Sequence, residues 1–347
     1  MAAGRRQTWA RRIIVISCVV ILAVVAIGVP VWLNQREIVP IAPVTLCLGV
    51  QPQAVLLLIA LENGYFADEG VAVAVKEHVS GKRAFLAMED GECDLSNATG
   101  VVAVSNSFKR HDYKVLAGMG SLSNMFSVVA RDDRGILQPS DLKGKHVATQ
   151  RASAVHFFMY VYLLRHGLLT EELKISFKRA EELPAALANG EIDASFMREP
   201  FVGQAKELLA GKVAIFQGPG AYDVRELLIG RDNYIQDNPA VVVKMLKALL
   251  RAQDFVVESP DMAIRIVAQR LGARESEVAA SWPDSSFELL LDQALLVGME
   301  DQARWIIKEG FTDEKEVPNF LDHIYAEALA EAKPEAVTMI QREVNYE

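Results

Sequence analysis

Two four-residue stretches, Gly91-Glu92-Cys93-Asp94 and Gly190-Glu191-Ile192-Asp193, constrain this chain more than any other feature, because each closes a copy of one strand-helix-strand-helix-strand pattern. Reading back from each, the copies run in parallel. An apolar strand (Val44 to Val50; His146 to Thr149) leads to a helix ended by a glycine (Gly64; Gly167), then to a second strand (Val71 to His78; Leu173 to Lys178) and a second helix. The glycines at the first helix ends are 103 residues apart and those opening the motifs 99 apart, the drift expected of two diverged halves rather than of a short repeat array. The pattern predicts two similar α/β lobes. Ligands of such sheets sit beyond the carboxyl ends of the strands, where helix N-termini offer free N–H groups, so the residues just after these strands should face a common cleft.

Residues 13–33 (IIVISCVVILAVVAIGVPVWL) carry no charge and follow Arg5, Arg6, Arg11 and Arg12. That length spans a bilayer, and the arginines place the N-terminus in the cytoplasm and the remaining body on the outer face. The segment reads as a retained anchor. The alternative is cleavage at Ala26-Ile27-Gly28, which would release a secreted protein.

Five of the 36 Lys+Arg and one of the 45 Asp+Glu fall in the first 40 residues, so the body carries 31 against 44, a net charge of −13. An acidic exported body argues against nucleic acid as a partner. Its three hundred or so residues exceed one comfortable core, which agrees with two lobes. The expected division is a tail, membrane segment and linker over 1–40, the first lobe over 41–130, the second over 131–223, and a return to the first over 224–347. Met125 to Ala130 and Val224 to Ile229 read as the two apolar crossing strands of a hinge, and the segments after Asp237, Val317 to Lys333 among them, as helices that buttress the first lobe. Cys47 and Cys93 read as strand residues of the same lobe; a disulfide is open to them, but two buried free thiols is the preferred reading. The histidines show no paired ligand spacing, so neither a metal nor an organic cofactor is expected.

Several stretches together resemble the solute-binding proteins of ABC importers for nitrate, aliphatic sulfonates, taurine and thiamine-related pyrimidines. They are Glu62-Asn63-Gly64-Tyr65-Phe66-Ala67-Asp68-Glu69-Gly70, the first Gly-Glu-x-Asp, Asp141-Leu142-Lys143-Gly144-Lys145, the run from Leu183 through the second Gly-Glu-x-Asp, Glu199-Pro200 and Asn238-Pro239. The resemblance covers nearly all of residues 44–272. It implies a two-lobed Venus-flytrap periplasmic-binding fold of type II, a monomer that closes on a small ligand and hands it to a permease and its ATPase. The ligand class it implies is a sulfonate, a carboxylate or zwitterion, or a pyrimidine-like solute.

The resemblance also implies where ligand contacts fall: Gln51 and Gln53 after the first strand, Ser80 and Gly81 after the second, Asn97 and Thr99 after the first motif, Arg151 and Ser153 at a helix start, and Glu199 before its proline. Arg198 departs from the pattern, since many relatives carry an aromatic there, often Trp. Ser123, at a strand end, and Tyr222, near the hinge, complete the candidates. Each has a plainer reading. Ser80, Asn97, Thr99 and Ser153 are ordinary helix-capping residue types, Glu199 can cap the helix that follows it, and the two arginines can be solvated rim residues. His156 reads as a core or rim histidine. Two rival functions stand beside solute binding: an enzyme that makes the thiamine pyrimidine, whose cysteine-rich segment is missing here, and a ligand-sensing module of a membrane signalling system.

Overall fold

The computed structural model describes residues 42–340 except 219 and 221, so the expected membrane segment, 13–33, and its cleavage alternative lie outside the described residues. Among the described residues no helix is long and apolar enough to cross a membrane.

Two sheets carry the fold. The first contains β1 (Ala42–Gly49), β2 (Val71–His78), β3 (Leu95–Thr99), β4 (Tyr113–Leu122), β10 (Val224–Arg231) and β11 (Ser285–Ser286), in the order β11-β4-β10-β3-β1-β2. The second contains β5 (Phe126–Arg131), β6 (His146–Thr149), β7 (Lys174–Phe177), β8 (Ala194–Arg198) and β9 (Val213–Gln217), in the order β7-β6-β8-β5-β9. Apart from the short edge strand β11, the two orders are the same. In each, the strands of the repeated pattern pair in parallel, and one antiparallel strand is inserted beside the third: β10 in the first sheet and β5 in the second. The chain passes from β4 to β5 through residues 123–125 and returns from β9 to β10 through residues 218–223, so it crosses between the sheets twice.

The duplicated motif has a physical role at the start of each sheet's central strand. Its glycine sits in the left-handed region, φ 84° at Gly91 and 75° at Gly190, where a side chain is strained. Its aspartate turns back onto the chain. Asp94 Oδ2 accepts from the Thr45 N–H at 2.8 Å and from Thr45 Oγ1 at 2.5 Å, while Arg231 donates to Oδ1 at 3.0 Å. Asp193 Oδ2 accepts the His146 N–H at 2.9 Å, and Arg134 lies 3.5 Å from Oδ1. The backbone repeats the match: Arg231 N–H donates to the Asp94 carbonyl and Arg131 N–H to that of Asp193, both at 3.0 Å. Each aspartate therefore registers a first strand against an inserted one.

Alternation along the strands builds the core. In β5, Val128 packs on one face of the second sheet with Phe158, Tyr162 and Phe196, and its neighbour Val129 on the other with Leu187, Met197 and Val202. On the first sheet, α1 (Val55–Glu62) is apolar nearly all round because it is covered on both sides: Val55 to Ala60 are buried, with α7 (Pro239–Glu258) and α8 (Pro260–Leu271) packed over it. Gly64, at φ 71°, ends that helical stretch.

Two expectations are corrected. Cys47 and Cys93 form a disulfide rather than two free thiols: Cys93 stands in the turn leading into β3 rather than on a strand, and that turn runs beside β1 with the two Cα atoms 5.7 Å apart. The stretch Val317 to Lys333 is not one helix. Residues 320–323 form a single 3-10 turn, and only Glu327–Ala332 is α-helical, because Ile324 leaves the helix to bridge β4 at Val115.

Replacing Asp94 or Asp193 by Ala strips the acceptor from a half-buried backbone N–H, a loss of about 1–3 kcal/mol. Both variants should melt several degrees below the parent by circular dichroism, with Asp→Asn losing less because it keeps the acceptor. Unchanged melting in the alanine variants contradicts the clamp.

Candidate functional site

The carboxyl end of β1 sets the geometry. A Cβ at Gly49 would stand 2.6 Å from the Gly81 Cα, so only glycine lets the start of α2 (Gly81–Glu89) close against the strand. Gln51, just beyond, is 5% exposed and holds that helix start by accepting the Gly81 N–H at 3.1 Å. Ser80 caps α2, its Oγ accepting from the Arg83 N–H. Two further helices, α3 (Gly100–Ser107) and α4 (Ala154–Arg165), begin at Thr99 and Ser153. Ser80, Gly81, Thr99, Ser153, Ala154 and Val155 line one niche of about 40 Å³. Three helix N-termini thus border one space, each with first-turn N–H groups that have no partner inside their own helix.

Beneath the niche lies a buried polar network. Glu226, on β10, is fully buried. Its carboxylate accepts from Gln51 Nε2 at 3.1 and 3.2 Å and from Asn97 Nδ2 at 2.5 Å. Asn97 in turn accepts the Gly49 N–H at 2.7 Å. Burial raises the Glu226 carboxyl to about 7, against the opposite pull of the Asn97 and Gln51 hydrogen bonds and the Arg198 charge.

The charges on the niche wall are cationic. Arg198, at the end of β8, is half-buried, and burial lowers its pKa while Glu226 opposes the shift. Its guanidinium donates to the Glu199 carbonyl at 2.9 Å and lies 5.4 Å from the centre of the Phe201 ring. Lys82 also lines the niche, and reaches across to the Arg151 and Ala152 carbonyls at 3.2 and 3.4 Å. Burial, then the Arg151 charge, depresses its pKa. Gln53, 3% exposed, borders the same space with its Oε1 unpartnered.

Of the sequence candidates, Gln51, Gln53, Ser80, Gly81, Thr99, Ser153 and Arg198 line the niche. Asn97 lies under it within the Glu226 network. Glu199 caps the helix after its cis proline, accepting the Gly203 N–H at 3.1 Å, and lines a larger chamber beside the niche. Ser123 Oγ donates to Asp223 at 2.5 Å, joining the two crossing segments. Tyr222 receives a hydrogen bond from Gln302 at 3.2 Å and packs on Phe157. The Arg151 side chain is exposed and lies over Phe177 and Phe311. His156 is enclosed by Phe177, Trp305 and Phe311, and burial, then Arg151 and Lys82, holds it down to about 3.

Sequence reasoning missed Lys82, Gln150 and Glu226. A signal for Glu226 was present: one acid within Val224-Arg225-Glu226-Leu227-Leu228-Ile229 is a buried charge that must have partners.

The profile of a family described as NMT1/THI5 like matches residues 51–263. A Bacillus subtilis (strain 168) protein, named provisionally as an aliphatic sulfonates-binding protein, is 26% identical over 226 residues, 62% of this chain and 66% of that one. The chain thus spans just under two thirds of that relative. The periplasmic aliphatic sulphonate binding protein SsuA of Escherichia coli has the same fold, with a TM-score of 0.69 at 16% identity, covering 82% of this chain and 97% of that one. So does the desulfurization enzyme DSZB, with a TM-score of 0.62 at 15% identity, covering 85% and 99%.

The raised carboxyl of Glu226 gives a pH signature. Between its ordinary 4.5 and about 7, the folded protein keeps a proton that the unfolded chain has released, so this group's contribution lowers stability as pH rises through that window. In Glu226→Gln that component is absent. The fall in melting temperature from pH 5 to pH 8 should be smaller in the variant than in the parent; equal falls contradict the assignment.

Proposed function

The chain belongs to the NMT1/THI5-like family, and from that premise we propose that it is the extracytoplasmic substrate-binding component of an ABC importer for small organic anions, sulfonates foremost. The observation that carries this reading is the convergence of three helix N-termini with Lys82 and Arg198 on one niche. Helix starts and guanidinium groups both favour oxyanions, and a guanidinium matches a sulfonate or carboxylate with two parallel hydrogen bonds. The sulfonate binding named for the relatives supports the same class.

In this reading the two sheets close on the ligand about the crossing segments. Lys82 to Ala152 and Arg83 to Glu181, the latter at 3.2 Å, bridge the two halves. An anion held by Arg198 from one half and by the starts of α2 and α3 from the other favours that closed arrangement, and closure marks the protein for its permease. The Cys47–Cys93 disulfide suits an oxidising compartment, and residues 13–33 serve as the membrane anchor. Solute binding is favoured over chemistry on this fold because the two described cysteines are bonded to each other and His156 lies in an aromatic cage rather than on the niche wall.

Arg198→Ala and Lys82→Ala should each weaken binding of an alkanesulfonate about tenfold or more, since a charge-assisted hydrogen bond contributes about 1.5–3 kcal/mol and 1.4 kcal/mol is a factor of ten. Arg151→Ala should stay within about threefold, its side chain being on aromatic rings outside the niche. Titration calorimetry decides; loss confined to Arg151→Ala would reverse the assignment. For the anchor, the full chain should sediment with membranes and the chain lacking residues 1–40 should not; a soluble full chain retaining its N-terminus contradicts it.

A further inference from the structure

Resting on the organic-anion reading above, we infer that the preferred ligand is amphipathic, its anionic head in the niche and an apolar body of several carbons in the larger chamber beside it. The niche alone, about 40 Å³, holds about three water-sized groups, since one water needs about 10–15 Å³ of such space. The adjoining chamber is about 730 Å³, within the range of sites that hold drug-sized molecules.

Arg198 lines both spaces, and the chain segments around Gln51 and Ser80 continue from one into the other: Val50 and Pro52 line the chamber, Gln51 and Gln53 the niche, and Val79 the chamber where Ser80 lines the niche. The chamber lies between the start of α6 (Phe201–Leu208), in the second half, and α8 with the Glu275–Ser281 helix in the first. Its walls are mainly apolar. Val55, Leu122, Met125, Phe201, Trp282 and Phe287 supply them, with Trp282 and Phe287 in ring contact at 4.5 Å, and the exposed Val79 joins them.

The polarity runs from the inner end outwards. The cation Arg198 stands at the junction, whereas the chamber's acids are engaged elsewhere: Glu77 with Arg270 at 2.7 Å, Glu277 with Arg274 at 2.5 Å, Glu199 on the Gly203 N–H, and Glu207 near the Arg274 charge. His78 Nε2 and Asn124 Oδ1, on side chains that line the chamber, have no partner, and Gln53 Oε1 has none in the niche. A long alkanesulfonate or an arylsulfonate therefore finds charge at one end and apolar surface along its length. A two-carbon sulfonate leaves most of the apolar chamber wet.

The test is calorimetric titration of the full chain in lipid nanodiscs, with empty discs as reference, using ethanesulfonate, hexanesulfonate, naphthalene-2-sulfonate and uncharged hexanol. A buried methylene is worth roughly a fourfold gain, so hexanesulfonate, with four more of them, should bind roughly two hundredfold tighter than ethanesulfonate, and the aryl probe comparably. Trp282→Ala should weaken the two larger probes about tenfold and leave ethanesulfonate within about twofold. If Trp282→Ala melts early, Phe287→Ala reads the same wall. Equal affinity for the short and long sulfonates overturns this inference and leaves the sulfonate-binding reading standing. Hexanol binding as tightly as hexanesulfonate overturns it too, and no binding of any sulfonate overturns both.

Discussion

The carboxylate of Glu226 is the point on which the site depends. It is fully buried, yet it ties the end of β1 through Gln51 to β3 through Asn97, and it lies on β10, the strand that returns from the second half. Burying one ion without partners is costly; here two amides and the Arg198 charge offset part of that cost, and the rest appears as a raised pKa. Gln51 passes the constraint on by holding the Gly81 N–H, which fixes the start of α2, and Asn97 by holding Gly49. Because Arg198 comes from the second sheet, the electrostatic centre beneath the niche belongs to both halves, and a ligand that neutralises Arg198 changes what Glu226 feels.

The two halves share a frame but not a role. Each uses a Gly-Glu-x-Asp turn to register its central strand, with near-identical distances at Thr45 and His146. The niche is built unequally on that frame. The first half contributes the buried network, Lys82 and two helix starts; the second contributes Arg198, one helix start and the ring of Phe126. A duplicated scaffold with an asymmetric interior suits a cleft that must hold a ligand with two different ends.

Much of this was legible in the sequence. Periodicity and glycine positions reveal strands and helix ends because those follow from backbone sterics, and the resemblance, with the rule that α/β sites sit at strand ends, points to Ser80, Thr99 and Ser153, which line the niche. What was not legible depends on where a side chain turns once the backbone is set. Arg151 and Lys82 both stand at helix starts, yet the first lies over Phe177 and Phe311 while the second lines the niche, and spacing does not distinguish them. Glu226 was hidden within a strand read only for its apolar neighbours. The Cys47–Cys93 bond depends on a turn running beside β1, a tertiary fact that composition does not carry.

Whether an organic anion is held where three helix starts meet Arg198 is decided by a crystal structure with bound hexanesulfonate. Sulfonate oxygens are expected within hydrogen-bonding distance of Arg198 and of N–H groups at the starts of α2, α3 and α4, with the alkyl chain running toward Trp282. A sulfonate bound with its head among the chamber's carboxylates, or on the outer surface beside Arg151, would contradict that placement.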